Sequence, residues 1–174
     1  MKKKIIDHYG INAKEALKSL SLSDNKQRNN ALNETAKLLK ANINEILEAN
    51  KIDIENSKMK SMSNSFIDRL SLDNKRINSI IDGLMDISKL EDPLNKVLCT
   101  WDRPNGLNIS KISVPLGVIG IIYESRPNVT IDAGALCIKS GNTCILRGGS
   151  DSFHTSTLLT KFLQQGLRLA GLPE

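Results

Sequence analysis

Aromatic side chains are scarce in this chain: one tryptophan, two tyrosines and three phenylalanines, 3% of 174 residues. Nucleic-acid surfaces need clustered basic residues or stacking aromatics. Here lysine and arginine are dispersed, with Lys2-Lys3-Lys4 the only run, so no nucleic-acid partner is expected, while the net charge of +5 permits a small anion. Cysteine is sparse too. Cys99, Cys137 and Cys144 show no C-x-x-C spacing, so neither a disulfide frame nor a zinc or other metal site is indicated. Cys137 and Cys144 lie among apolar residues, as small buried hydrophobes do. No run approaches the ~18 apolar residues of a membrane span. The basic start meets Asp7-His8 directly after Ile5-Ile6, so no signal-peptide core forms. A cytoplasmic protein with no membrane partner is expected. The standard nucleotide fingerprints, G-x-G-x-x-G and G-x-x-x-x-G-K-[ST], are also missing.

What is present is ordinary in bulk. A 174-residue chain with 40% hydrophobic and 25% charged residues is a soluble globular unit able to bury a real core. Residues 1–96 read as helices. A short amphipathic pattern runs from Ala13 to Leu20, and Ser21-Leu22-Ser23-Asp24 offers N-caps. The next helix sets Leu32, Leu39, Ile43, Ile46 and Leu47 near one face and is expected to end or bend at Ala49-Asn50. A weaker polar helix follows around Ile52–Met59, then a loop at Ser61–Ser65. Asp68–Ser71 leads into a helix with Ile77, Ile80, Ile81, Leu84 and Ile87 at helical spacing, stopped before Pro93. All these stripes read as core. Residues 97–113 form a hairpin around Arg103-Pro104-Asn105-Gly106. A two-stranded arm is marginal alone, so it lies either on its own domain or on a second subunit.

Residues 114–174 carry the organising pattern. Gly117–Tyr123 is a short, nearly all-apolar run with the composition of a strand buried on both faces. A polar turn, Glu124–Asn128, follows at its carboxyl end, then a helix with Val129, Ala133, Leu136 and Cys137 on one face, capped by Asn128 or Thr130 and ended by Gly141. Thr143–Leu146 is the second strand and Arg147–Ser150 its turn. The last helix, from about Asp151, buries Leu158, Leu159, Phe162, Leu163 and Leu169. A strand–helix–strand link of this length is a right-handed parallel crossover. Ligands of open parallel sheets bind beyond the carboxyl ends of the strands. Both polar turns fall there, where a guanidinium, two side-chain-free glycines and helix-start N–H groups suit a phosphate or ribose.

The segments RPNGL (103–107), VPLGVIG (114–120), YESRPNVT (123–130), Leu136-Cys137, KSGN (139–142) and ILRGGS (145–150), with Ala49-Asn50, Asp53 and Asp68-Arg69-Leu70 upstream, resemble the gamma-glutamyl phosphate reductase branch of the aldehyde dehydrogenase superfamily. The resemblance implies an α/β fold: an amino-terminal helical layer, a β-hairpin arm and the first βαβα part of an aldehyde-dehydrogenase-like Rossmann-type parallel sheet, truncated. It also implies a proline-biosynthesis oxidoreductase that reduces L-glutamyl 5-phosphate to L-glutamate 5-semialdehyde with NADP(H) and releases phosphate, as a homo-oligomer when full length. A cysteine thiolate attacks the acyl phosphate, and hydride reduces the thioester.

On the same resemblance, Tyr123, Glu124, Ser125, Arg147, Gly148, Gly149 and Ser150 hold the coenzyme. Arg147 stands where the superfamily has a lysine reaching the adenosine ribose. Ser150 replaces a glutamate of NAD-preferring relatives, which favours a 2′-phosphate; as a plain helix cap it fits equally. Asn128 is an oxyanion donor or a helix cap, and Arg126 holds a substrate carboxylate or phosphate. None of the three cysteines stands at the family's nucleophile position, so the isolated chain is expected to be inactive.

Overall fold

The computed structural model describes the backbone of residues 2–174 and the side chains of residues 6–174, leaving the Lys2-Lys3-Lys4 and Ile5 side chains outside the described residues. Seven helices and four strands follow in the order α1 (Lys2–Leu20), α2 (Asn25–Ala41), α3 (Ile43–Met59), α4 (Asn64–Leu70), α5 (Asn74–Lys89), β1 (Val97–Asp102), β2 (Asn108–Ile112), β3 (Val118–Ile122), α6 (Pro127–Lys139), β4 (Thr143–Arg147) and α7 (Phe153–Leu169). The expected mixed architecture is present.

Several boundaries differ from those expected. The amphipathic stretch at 13–20 is the end of a longer helix, α1. The first long helix breaks at Asn42, not at Ala49-Asn50, and α3 runs unbroken through the segment read as a separate polar helix. The Asn42 amide and side chain both bond back to the Leu38 carbonyl, ending one helix as the next begins. Asn50 and Asp53 are buried inside α3 because they serve other elements. Asn50 donates to the Leu70 carbonyl at 3.0 Å and accepts from the Leu72 amide at 2.7 Å, which fixes the turn after α4. Asp53 accepts from the His154 amide, the Thr155 amide and the Thr155 hydroxyl, at 3.1, 2.8 and 2.6 Å. A carboxylate from α3 thus caps α7 and complements its dipole. Asp53→Ala should therefore lower stability by about 2 kcal/mol, because the buried Thr155 amide and hydroxyl lose their acceptor along with the His154 amide; urea unfolding measures it, and an unchanged midpoint would refute the cap.

The core forms where α2, α5, α6 and α7 meet, around Leu32, Leu39, Ile77, Leu84, Ile131 and Leu159. Gly134 and Gly166 on α6 and α7 permit the closest approaches. Two buried cations sit beside this core. Arg28 makes a bidentate pair with Asp92 at 2.8 Å and donates to the Ser23 carbonyl. Lys139 is held by Asn25, Asn29 and the Ser88 carbonyl; burial pushes its pKa down, Asp92 opposing and Arg28 adding to the shift.

β3 and β4 pair in parallel, Ile122 opposite Arg147. Successive side chains of a strand face opposite ways. Thr143 donates to the Ala13 carbonyl of α1, while Cys144 meets Cys137 of α6. The two helices therefore cover opposite faces of the sheet. Coverage is partial, contrary to the expectation of full burial for β3: its residues are half-buried or exposed, and Ile122 is 86% exposed. Among the described residues the sheet has two strands, too few to shield either face. Leu136, read on one face with Cys137, and Leu169, expected to be buried, are exposed, because α6 and α7 present Ile131, Ala135 and Ile138, and Leu159, Phe162 and Leu163 inward.

The hairpin β1–β2 is antiparallel, and all its strand residues are exposed, Trp101, Val97, Leu98 and Ile112 included. Among the described residues it is rooted where Ser113 bonds to Lys96, Asn95 and Pro93.

Candidate functional site

Parallel strands deliver the chain to one rim. Beyond Ile122 and Arg147 the Tyr123 amide still bonds to the Arg147 carbonyl at 3.1 Å, so the two polar corners start side by side. They then touch. A Cβ on Gly149 would lie 2.0 Å from Ser125 Oγ and 2.8 Å from its amide nitrogen, and one on Gly148 would lie 3.1 Å from the Tyr123 ring. At Gly149 only hydrogen fits, and at Gly148 a methyl would press on the Tyr123 ring. The Tyr123 hydroxyl bonds to Thr130 Oγ1 at 2.7 Å, which ties this corner to α6.

Around that contact the expected site residues are disposed as follows. Ser125 is buried; Glu124 and Arg126 are exposed and ion-paired at 3.2 Å. Arg147 is exposed at the rim, its guanidinium donating to the Gly148 carbonyl. Ser150 is exposed and opens a 3-10 turn, Ser150–Ser152. It does not cap α7: Ser152 holds the cap position and Asp53 supplies the carboxylate. Neither Asn128 nor Thr130 caps α6. That helix begins at Pro127, whose fixed φ suits the first helical position, with Arg126 as the flanking residue. Asn128 lies inside the first turn and donates Nδ2 to Asp132 at 3.1 Å.

Next to this corner a groove of about 400 Å³ opens between the α4–α5 turn and the start of α6, lined by Arg69, Arg76, Arg126, Asn128, Asp68 and Asp132. Arg76 and Asp68 satisfy each other at 2.7 Å. Asp132 is half-buried, and burial pushes its pKa up, while the hydrogen bond from Asn128 pulls it back. On the far side of α6, Cys144 gives its proton to a hydrogen bond with Cys137; that bond and burial push its pKa up, making it a poor nucleophile. Cys99 is exposed on the hairpin.

No family model matches the sequence. Gamma-glutamyl phosphate reductase of Clostridium tetani is 51% identical over 171 residues, covering 98% of this chain and 40% of its own length. The crystal structure of gamma-glutamyl phosphate reductase from Thermotoga maritima superposes with a TM-score of 0.90 at 39% identity, over 93% of this chain and 39% of that one. The chain matches the amino-terminal part of gamma-glutamyl phosphate reductase. The Saccharomyces cerevisiae structure agrees, with a TM-score of 0.88 at 35% identity over 93% of this chain and 42% of that one. A probable aldehyde dehydrogenase from Listeria monocytogenes, 12% identical with a TM-score of 0.67, covers 98% of this chain and 35% of its own and shares the fold. This chain spans about two fifths of the length of the curated gamma-glutamyl phosphate reductases it matches.

Two further residues belong to the surroundings of this site, and neither lies in a recognisable binding motif. Asp53 fixes the first turn of α7 directly behind Ser150; the sequence marks it only through the family resemblance, since it is one of several acids in a helical stretch. Asp132 reaches the groove from the second turn of α6, where it reads as ordinary helix polarity.

Proposed function

We propose that this chain is the coenzyme-binding portion of an enzyme that reduces L-glutamyl 5-phosphate to L-glutamate 5-semialdehyde with NADP(H) and releases phosphate, acting in proline biosynthesis in the cytoplasm. The observation that carries the reading is the contact of the Glu124–Asn128 and Arg147–Ser150 corners on one rim, with Gly149 lying against Ser125. The residues at that rim fit a phosphorylated dinucleotide. Gly148 and Gly149 leave backbone bare for close approach, Arg147 offers a fork of donors, and Ser150 offers a hydroxyl. The carboxylate nearest in sequence, Asp151, is engaged by Lys60 at 2.6 Å, so its charge is compensated. The coenzyme, when bound, supplies hydride to the substrate carbon.

This chain's own groups bind and orient. Tyr123, Glu124 and Ser125 form the floor beside Arg147. Asn128 is the candidate hydrogen-bond donor to a developing oxyanion, its amide held in one orientation by Asp132. Arg126, at the mouth of the groove, suits a substrate carboxylate or phosphate. By its likeness to the family the reacting thiolate is none of this chain's cysteines, and their placement agrees: Cys137 is buried on α6, Cys144 is held protonated beside it, and Cys99 lies on the arm. The isolated chain therefore binds without turning over. Residues 1–96 serve as the helical part of the coenzyme-binding domain and 114–174 as its βαβα half. The hairpin 97–113, apolar on its exposed strands, suits a contact between subunits of a homo-oligomer.

Fluorescence titration of NADPH and NADH tests the reading. Arg147→Ala should weaken NADPH binding by roughly tenfold or more, the worth of a charge-assisted hydrogen bond, and leave NADH little changed. Equal NADPH affinity in variant and parent would overturn it.

A further inference from the structure

We propose that the groove between the α4–α5 turn and α6 is a receptor for an α-amino-acid head group, in which Asp132 takes the ammonium and Arg69 the carboxylate of the substrate. The assignment rests on the proposed function, since it names how that substrate's distal end is held.

The groove of about 400 Å³ carries both signs of charge. Most of them are already matched. Arg76 is spent on Asp68 and on the carbonyls of Asp68 and Ser71, and Arg126 pairs with Glu124. Arg69 makes no hydrogen bond or ion pair among the described residues, although it lines the groove. Asp132 has a single side-chain partner among the described residues, the neutral amide of Asn128. A half-buried carboxylate without a cation is costly, and burial pushes the Asp132 pKa up, so an arriving cation would be favoured there. An unmatched acid and an unmatched guanidinium in one cleft complement a zwitterion. They suit a phosphoryl group poorly, because Asp132 would repel it. The phosphoryl end then lies toward the mouth of the groove, where Arg126 suits it, and Asn128, beside Asp132, stands between head group and reacting carbon.

Isothermal titration of the chain with L-glutamate, glutarate and 4-aminobutyrate, without coenzyme, tests the assignment. L-Glutamate should bind, Asp132→Asn and Arg69→Gln should each weaken it at least about tenfold, and glutarate should ignore Asp132→Asn. Arg69 is exposed and Asn nearly isosteric with Asp, so circular dichroism should show both variants folded. Equal binding of glutarate and L-glutamate to the parent overturns the ammonium role. Parent-like L-glutamate affinity in either variant, or no L-glutamate binding to the parent, overturns the receptor. NADPH titrated on the same samples separates the two readings: its failure alone removes the nucleotide assignment and leaves the groove standing.

Discussion

Gly166→Val is expected to remove roughly 4 kcal/mol of stability, at the upper end of what a single overpacked core position costs. The glycine lies where α7 crosses α2. A Cβ there would sit 2.0 Å from Thr35 Oγ1, 2.7 Å from the Ala31 carbonyl oxygen and 3.0 Å from the Thr35 nitrogen. A hydroxyl can rotate away, but two of these atoms are backbone of the facing helix. The helices must therefore part, and Leu32, Leu159 and Phe162 lose packing around them. Urea unfolding reads the effect as a lower midpoint at similar slope. A midpoint like the parent's would refute the close crossing.

The second large effect falls on binding. Gly149→Ala should reduce NADPH affinity by roughly a hundredfold, the scale of loss when a binding group is displaced by about an ångström. The new methyl would overlap Ser125 Oγ and press on the Ser125 amide, driving the corners apart and taking Arg147 and Ser150 with them. Stability should change far less, because the rim carries little of the core. Ser125→Gly in the Gly149→Ala background removes the hydroxyl overlap and should recover part of the affinity. Parent-like NADPH binding in Gly149→Ala would show that the contact does not shape the site.

The crossover unit was legible because its signals are local and redundant. Two short apolar runs and glycines at Gly141 and Gly171 with positive φ mark their own positions, whereas the start of α6 is less legible because Pro127 lies within what reads as a polar turn. The α2–α3 boundary was not legible, since no proline or glycine lies at Asn42 and the break is made by its bonds to Leu38. Asn50 misled for a related reason. Short amides usually mark helix ends, yet here the side chain faces inward to hold a turn twenty residues away. The full burial expected of β3 failed because composition reports what a strand is suited to, whereas two strands leave much of each face open. Around the site, the rim followed from strand order. The groove did not, because Arg69 and Asp132 come to line one cleft only through the packing of α5 against α6.

The pairing of α2 with α7 also sets a timetable. About 110 residues separate the end of one helix from the start of the other, and ribosomes add roughly 5–20 residues each second. α5 can cover part of the apolar stripe of α2 sooner, but the part that packs on α7 must wait several seconds, uncovered, for its mate to emerge. Chaperone dependence should accordingly be greatest during translation, and synonymous codons that slow elongation between these two helices should lower the soluble yield without altering a single side chain.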